Sequence, residues 1–289
     1  MAILRNIKKR IVGVGKTRKI TRTMEMVSTS KMKRWQTVVL SSRPYSEALA
    51  EVLCSLSSSP EALAHPLMQP REEIRKTAIL FITSNRGLCG AFNNNISRTA
   101  HLLYNEYKSK GLAVELFGVG KKGIFYCNHK RLPLAYKNIT VVDTFTSEES
   151  KELTRLLTEA FLSGSVDRVE VVYCRFISSG RQEVTVEQLL PLTAPSGPER
   201  ESTETEFIFE PSPEEIVNTL LPLFAQSTVY RMLAENITSE QAARRKAMKQ
   251  ATDNAEDMIT YLTRRYNRER QAQITKELSE IVGGSDAIA

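Results

Sequence analysis

Residues 248–262 have the sequence MKQATDNAEDMITYL, whose spacing of small and apolar side chains indicates a long helix. Small and apolar side chains recur in it at steps of three, four, three and four residues, at Met248, Ala251, Ala255, Met258 and Leu262. Such alternating steps are typical of a coiled-coil seam. The surrounding region has no glycine between 198 and 282 and no proline after Pro222. The pattern therefore predicts a continuous helix over residues 213–282, about 105 Å long.

A second apolar stripe of helical period runs along the first 56 residues. Its members are Ile3, Ile7, Ile11, Val14, Ile20, Met24, Val27, Trp35, Val38, Val39, Ala48, Leu49, Val52, Leu53 and Leu56. A helix of this length would reach roughly 80 Å, which a globular domain cannot bury. We therefore expect the N- and C-terminal helices to form a long antiparallel coiled coil. A broken helical bundle is the alternative.

The middle of the chain alternates apolar, β-rich runs with helical patterns. We predict strands at 77–83, 113–117, 139–145, 168–176 and 183–190, and helices at 93–110, 121–128 and 148–162. Alternating strands and helices are typical of a mostly parallel sheet. The fold class is therefore a coiled coil with a central Rossmann-like α/β domain.

Proline- and glycine-rich stretches separate these regions, at 57–71 and 193–198. The predicted segments are an N-terminal coiled-coil helix at 1–57, a linker at 58–75 and the α/β domain at 76–192. A loop and a foot segment follow at 193–212, and the C-terminal coiled-coil helix occupies 213–289.

The net charge of +7 is concentrated at the N-terminus. Residues 1–43 hold twelve Lys or Arg and one acid, whereas residues 240–289 hold nine bases and eight acids. A local basic excess favours an acidic partner: nucleic acid, a lipid surface or an acidic protein face. A basic coiled-coil protein that binds nucleic acid is therefore one interpretation. The apolar runs are too short to span a bilayer.

The sequence contains no pattern of metal-binding or catalytic residues. The four cysteines and three histidines are widely separated, without ligand spacing. We expect reduced thiols, most of them buried, and structural histidines. We also expect no catalytic acid.

Two glycine motifs resemble nucleotide-binding loops. GVGKT at 13–17 has Arg10 where a phosphate-binding loop needs its first glycine, and a helical stripe precedes it. GVGKKG at 118–123 fits GxGxxG between a strand and a helix, with Asp143 near the position of a ribose-binding acid. A dinucleotide site and a tight turn without a ligand both fit this second motif.

Motifs at both ends and in the middle resemble one family. They are KITRTMEMVSTSKM at 19–32, SNRGLCG at 84–90, SEQAAR at 239–244, ATDNA at 251–255 and YNRERQAQITKEL at 266–278. Together they resemble the γ subunits of F-type ATP synthases over nearly the whole chain. The departures are Asn85 for the usual Asp, Ala91 for Gly, Ala255 for a frequent Gly, and Gly284-Ser285 for Gly-Ala.

The resemblance implies a central rotor shaft that transmits torque between a membrane c-ring and a head of α and β subunits. It implies no catalytic site, no cofactor and an empty GxGxxG turn. The expected partners are the α, β and ε subunits and the c-ring. The missing chloroplast insert favours a bacterial protein, peripheral on the cytoplasmic face of the membrane. The basic start then belongs to the mature helix rather than to a transit peptide.

The resemblance also implies contact residues. Arg270, Gln271 and Met24 correspond to contacts with the β subunit. Phe207, Phe209 and Glu210 correspond to a foot that contacts ε and the c-ring. An ordinary edge strand that ends at a helix start is the alternative for the foot, since Pro213 suits a first helical turn.

Overall fold

The structure is a computed structural model and describes residues 2–56, 64–140, 144–193 and 212–286. Two long helices enclose an α/β region in the sequence. The elements are α1 (Ala2–Leu56), β1 (Lys76–Ile82), α2 (Phe92–Ser109), β2 (Ala113–Val119), α3 (Lys121–His129), β3 (Leu134–Asn138), α4 (Ser147–Leu162), β4 (Arg168–Phe176), β5 (Gln182–Leu190) and α5 (Pro213–Asp286). The predicted fold class, long terminal helices around a central α/β region, is confirmed.

The five strands form one sheet in the order β3-β2-β1-β4-β5. Strands β1 to β4 are mutually parallel, and β5 runs antiparallel to β4 at the edge. This order is that of the doubly wound Rossmann sheet. The central strand β1 is buried on both faces from Thr77 to Ile82, as expected where helices cover both sides of a parallel sheet.

Alternate residues of β1 point into two different cores. Ile79 and Phe81 pack with Phe92 and Ile96 of α2. On the opposite face, residues of α4, of α1 and of the first half of α5 form the larger core, with Ala78, Leu80, Leu157, Phe161, Val39, Leu221, Val229 and Leu233 among its members. The long helices therefore pack into the core of the α/β region as well as against each other.

The chain divides into two compact units. The first contains residues 1–28 and 244–289, and the second contains residues 29–243. In the second unit α1 and α5 run alongside each other, with the hydroxyl oxygens of Ser46 and Ser227 3.0 Å apart. The ring of Trp35 on α1 also stacks on Phe145, which in turn meets Tyr230 of α5 edge-on. The predicted bounds of the five segments stay a prediction.

One predicted strand is wrong. The β-branched run at 139–145 favoured a strand there, but β3 ends at Asn138. Residues 141–143, including Asp143, lie outside the described residues. Alternate residues of β3 are only half-buried, because β3 is the sheet edge, and so its hydropathy signal is weak. Phe145 is buried in the core with α1 instead of pairing in the sheet.

Candidate functional site

In the first unit, α1 and α5 pack antiparallel through small polar side chains. Thr252 donates a hydrogen bond of 2.8 Å to the hydroxyl oxygen of Thr21, and both residues are buried. Arg18 and Glu256 form an ion pair of 3.3 Å beside this contact. Because water reaches both charged side chains, which are 40% and 64% exposed, that ion pair adds little stability. The buried threonine pair instead marks where the two backbones approach closely.

The predicted seam of α5 is shifted by one residue at two of its five positions. Met248, Ala255 and Leu262 are buried, whereas Ala251 is only half-buried and Met258 is 43% exposed. Thr252, next to Ala251, is buried, and Ile259, next to the exposed Met258, is half-buried. The steps then become four, three, four and three, which is the same heptad in a different phase. Threonine has little hydropathy, so the apolar pattern did not reveal it.

The predicted stripe of α1 needs the same kind of correction. Ile3, Ile20, Val27 and Val52 are exposed, as is Ala48, whereas Ile7, Thr21, Ser28 and Met32 are buried. The four buried residues follow heptad steps, of which Thr21 and Ser28 are again hydroxyl residues. On α5, the last apolar residues of the predicted stripe, Ile274, Leu278 and Ile281, are exposed too. The first turn of α1, at Ile3 and Leu4, lies against residues 269–280 of α5, so α1 begins beside this segment.

The three residues predicted to contact the β subunit lie on the first unit. Arg270 and Gln271 are exposed, and Met24 is half-buried. Met24 is three residues from Thr21, whose partner Thr252 is 18 residues from Arg270 on α5, a rise of about 27 Å. Met24 therefore does not join Arg270 and Gln271 in one cluster. Phe207, Phe209 and Glu210, the predicted foot, lie outside the described residues.

The basic side chains of α1 face water. Lys8, Lys9, Lys16, Lys19 and Arg22 are all exposed in the first unit. Arg18 is half-buried and is held by Glu256. A helix face of exposed cations suits an acidic partner.

The GxGxxG turn at 118–123 is filled by protein atoms. The N–H groups of Lys121, Lys122 and Gly123, which would bind a phosphate at the start of α3, donate to Asn85 Oδ1, to the Ser84 carbonyl and to Thr83 Oγ1. These hydrogen bonds are 2.9, 3.1 and 2.9 Å long. A nucleotide phosphate at a helix start needs such groups unoccupied. The turn is therefore built for packing.

The SNRGLCG loop at 84–90 ties together the carboxyl ends of three strands. Ser84 N–H donates to Asn93 Oδ1 of α2 over 2.8 Å, and Asn85 Nδ2 donates to the Ile139 carbonyl just after β3 over 2.7 Å. The side-chain oxygen of Asn85 thus accepts a hydrogen bond from the start of α3, and its amide nitrogen donates one to the residue after β3. An ionised aspartate, the residue usual in the family's motif, has no N–H donor for the Ile139 carbonyl.

Most of the cysteines are buried. Cys89, Cys127 and Cys174 are buried, Cys54 is exposed, and none of these four forms a disulfide. Burial raises the pKa of the Cys127 and Cys174 thiols to about 11, so they are poor nucleophiles at neutral pH. Within the described ranges, no three His, Cys, Asp or Glu side chains could hold a metal ion together. No described helix carries an apolar stretch of the length needed to cross a bilayer.

Comparison with known proteins gives the same family along the whole length. The ATP synthase family model matches residues 3–288. The ATP synthase gamma chain of Leptospira biflexa is 43% identical over 289 residues, covering 100% of both chains. That of Gemmatimonas aurantiaca is 41% identical over 288 residues, covering 100% of this chain and 99% of the relative.

Solved structures share the fold. A chain in the mitochondrial ATP synthase of Euglena gracilis, solved with OSCP, F1 and c-ring, has a TM-score of 0.68 at 20% identity. The match covers 99% of this chain and 95% of that one. A chain of the central stalk and c-ring of the Tetrahymena thermophila enzyme has a TM-score of 0.61 at 23% identity, covering 80% and 99%. With the full-length identity to the bacterial relatives, these findings establish that the chain belongs to the ATP synthase gamma chain family.

Proposed function

We propose that this chain is the central rotor shaft of an F-type ATP synthase. It transmits torque between the membrane c-ring and the catalytic head, and so couples ion translocation to ATP synthesis or hydrolysis. The observation that carries this proposal is the 43% identity to a gamma chain over the full length of both proteins. The antiparallel pairing of α1 with α5 supports it, because paired helices resist bending and twisting better than a single helix.

The chain itself is non-catalytic in this role. It belongs to a membrane-associated complex and takes part through protein contacts. Its partners are the α, β and ε subunits and the c-ring, and its position is peripheral, at the cytoplasmic face of a bacterial membrane. The exposed lysines and arginines of α1 suit an acidic surface of the head that surrounds the shaft.

Two contact regions complete the proposal. Arg270 and Gln271 are exposed on α5, where an arginine can offer several donors to a carboxylate of β. Met24 contributes a separate contact, near the Thr21–Thr252 pair and away from Arg270 along the coiled coil. Phe207, Phe209 and Glu210 form the foot that meets ε and the c-ring.

Co-purification tests the function. A tagged copy of the chain, expressed in cells that lack the native gene, should bring down α, β, ε and c subunits and restore ATP-driven ion pumping in membrane vesicles. A control strain carries the tag alone. A chain that purifies without these subunits and retards labelled DNA in a gel would instead support the nucleic-acid-binding interpretation.

A further inference from the structure

A cluster of charged and phenolic side chains joins the sheet to helix α5 in the second unit. Arg231 of α5 donates from Nη2 to Glu187 Oε1 of β5 over 2.5 Å, and from Nη1 to the Tyr173 hydroxyl of β4 over 3.3 Å. Tyr173 in turn donates to Glu187 Oε2 over 2.7 Å. Arg175 of β4 and Glu235 of α5 complete the cluster, at 3.2 Å from Glu187 and 3.4 Å from Arg231. We call these five residues the β5–α5 cluster.

The cluster is electrically balanced, and its charged side chains are mostly removed from water except for Arg175, which is 47% exposed. Its two arginines face two glutamates, and the side chains of Arg231, Glu187 and Glu235 are 24%, 26% and 10% exposed. Burial opposes the charge on Arg231, but the neighbouring Tyr173, Glu187 and Glu235 hold the pKa of the guanidinium above its ordinary value. Burial, with Glu187 nearby, also raises the pKa of Tyr173 to about 12. The Arg231 guanidinium and the Tyr173 hydroxyl therefore keep their protons, and so their hydrogen-bond donors, at neutral pH.

A second polar link lies one turn further along α5. Strand β1 pairs with β4 only as far as Val172, so the next residues of β4 lack a strand on that side. The N–H of Cys174 donates to Asn236 Oδ1 there, over 3.0 Å, and Asn236 is fully buried. Directional contacts thus hold α5 against both β4 and β5.

The remaining contacts between α5 and this face of the sheet include apolar ones, from Val229, Met232, Leu233 and Ile237. Apolar burial stabilises without fixing direction, so surfaces joined by it alone can slide. A hydrogen-bonded ion pair between planar guanidinium and carboxylate groups fixes direction and register. Buried polar contacts are known to specify one arrangement of packed helices.

The cluster joins the two elements that flank the predicted foot, so it would carry a force applied to the foot. Strand β5 ends at Leu190, and α5 begins at Pro213, so the segment between them contains the predicted foot. A force on that segment pulls on the edge strand β5 from one side and on the start of α5 from the other. An edge strand held only by β4 could peel away under such a load.

We propose that the β5–α5 cluster is a torque-bearing clamp that holds the edge strand against the shaft helix while the rotor turns. Arg231 is its central positioning residue. The inference rests on the proposed function as a rotor shaft. It predicts that loss of Arg231 leaves the head active but loosens the connection between the foot and the helix.

The test uses the whole complex in membrane vesicles with the substitution Arg231→Met, which keeps the side-chain length and removes the charge. We expect ATP hydrolysis within twofold of wild type and a ratio of ion pumping to hydrolysis that falls at least twofold. Arg155→Met is the matched control, because Arg155 forms an exposed ion pair with Glu159 on α4. It should leave both activities unchanged.

A covalent tether separates a mechanical role from a folding role. Glu187→Cys with Arg231→Cys, in a background with Cys54→Ser, removes the ion pair and allows a short bifunctional maleimide to join the two elements. The ratio of pumping to hydrolysis should be low before the reaction and return to the wild-type value after it. A measurement of thermal stability alone would not show this recovery of coupling after cross-linking.

Each outcome decides the proposal. An assembled Arg231→Met complex with the wild-type ratio would overturn the clamp, and so would a lowered ratio that the tether does not restore. Loss of assembly in both variants would also overturn it, since the cluster would then serve folding alone. Failure of the wild-type chain to assemble with α and β would instead reject the rotor function itself.

Discussion

At the scale of single residues, the GxGxxG turn shows how glycines can serve packing alone. Gly120 has a φ of 97°, and a methyl group placed on it would lie 2.2 Å from the Thr83 carbonyl oxygen. A methyl group on Gly123 would lie 2.6 Å from the ring of Phe81. Thr83 and Phe81 therefore fill the space that a cofactor would need, and the glycines let α3 approach the end of β1.

Gly120→Ala should destabilise the full chain more than the matched change Gly111→Ala. Both positions have positive φ, but nothing lies within 4 Å of a methyl group on Gly111. Strain alone costs on the order of 1 kcal/mol at Gly111, whereas overpacking adds about 1–3 kcal/mol at Gly120. Urea denaturation followed by circular dichroism measures the difference. An equal loss of stability in the two variants would mean that Thr83 moves away from the added methyl group at little cost.

Tyr107 should make stability depend on alkaline pH. Burial, together with the hydrogen bonds to Glu170, raises the pKa of Tyr107 to about 12 from 10. The folded state thus favours the neutral phenol, and its stabilising contribution is complete below pH 10 and is lost as the pH rises towards 12. The Tyr107 hydroxyl lies 2.8 Å from both carboxylate oxygens of Glu170.

Tyr107→Phe should therefore lower stability at pH 8 by about 1–3 kcal/mol, because Glu170 loses a donor while buried. The same variant should lose less stability than wild type between pH 9.5 and 11.5. Urea midpoints across that range measure both effects, and Tyr104→Phe on the same helix is the control. A pH dependence as steep in Tyr107→Phe as in wild type would assign the alkaline transition to other groups.

At the scale of elements, the close approach of α1 and α5 at Thr21 and Thr252 sets the register of the coiled coil. A buried polar contact in a seam favours one register over its neighbours. Because the two oxygens are 2.8 Å apart, sulfur atoms at these positions would lie within reach of a disulfide.

Thr21→Cys with Thr252→Cys, in a chain whose native cysteines are replaced by serine, should form a disulfide within minutes under mild oxidation. Met26→Cys with Met258→Cys is the control, since Met26 is 65% exposed and Met258 is 43% exposed. Mass spectrometry of peptides identifies the linked pair. Faster linkage in the control than in the threonine pair would contradict the register described here.

At the scale of the whole molecule, the proposed contact of Arg270 with β predicts an effect on turnover by the head. Arg270→Ala should slow ATP hydrolysis by the assembled head severalfold, because the proposed charge-assisted contact to β is lost, while the chain stays folded. Arg268→Ala, an exposed arginine on the same helix, is the control. Turnover at the wild-type rate in a fully assembled Arg270→Ala complex would remove this residue from the contact with β.

The foot should affect coupling rather than catalysis. Phe209→Ala with Glu210→Ala removes an aromatic anchor and a charge from the segment expected to touch ε and the c-ring. ATP hydrolysis by the head should persist, whereas ATP-driven ion pumping should fall. Phe125→Ala, an exposed aromatic on α3, is the control. Normal pumping and hydrolysis in membranes that carry the double variant would place the foot contact elsewhere.

The amino-acid pattern was enough to predict the elements whose signals are local and long. The apolar period of α1 and α5 persists over many turns, and β4 was predicted with its bounds at Arg168 and Phe176 because its apolar run is buried. The family motifs are equally local, so they identified the rotor subunit and its expected contacts. Hydropathy averaged over many residues tolerates a wrong assignment at a single position.

Tertiary structure alone decided which residue of each repeat faces the partner helix, where the edge strand lies and what fills the glycine turn. Thr21 and Thr252 carry no apolar signal, and their burial depends on a helix more than 200 residues away in the chain. The half-buried edge strand β3 has a weak pattern for the same reason, since its surroundings come from distant segments. The Arg231–Glu187 contact joins α5 to β5, and no local pattern contains such a pairing because its free energy exists only when both elements are packed.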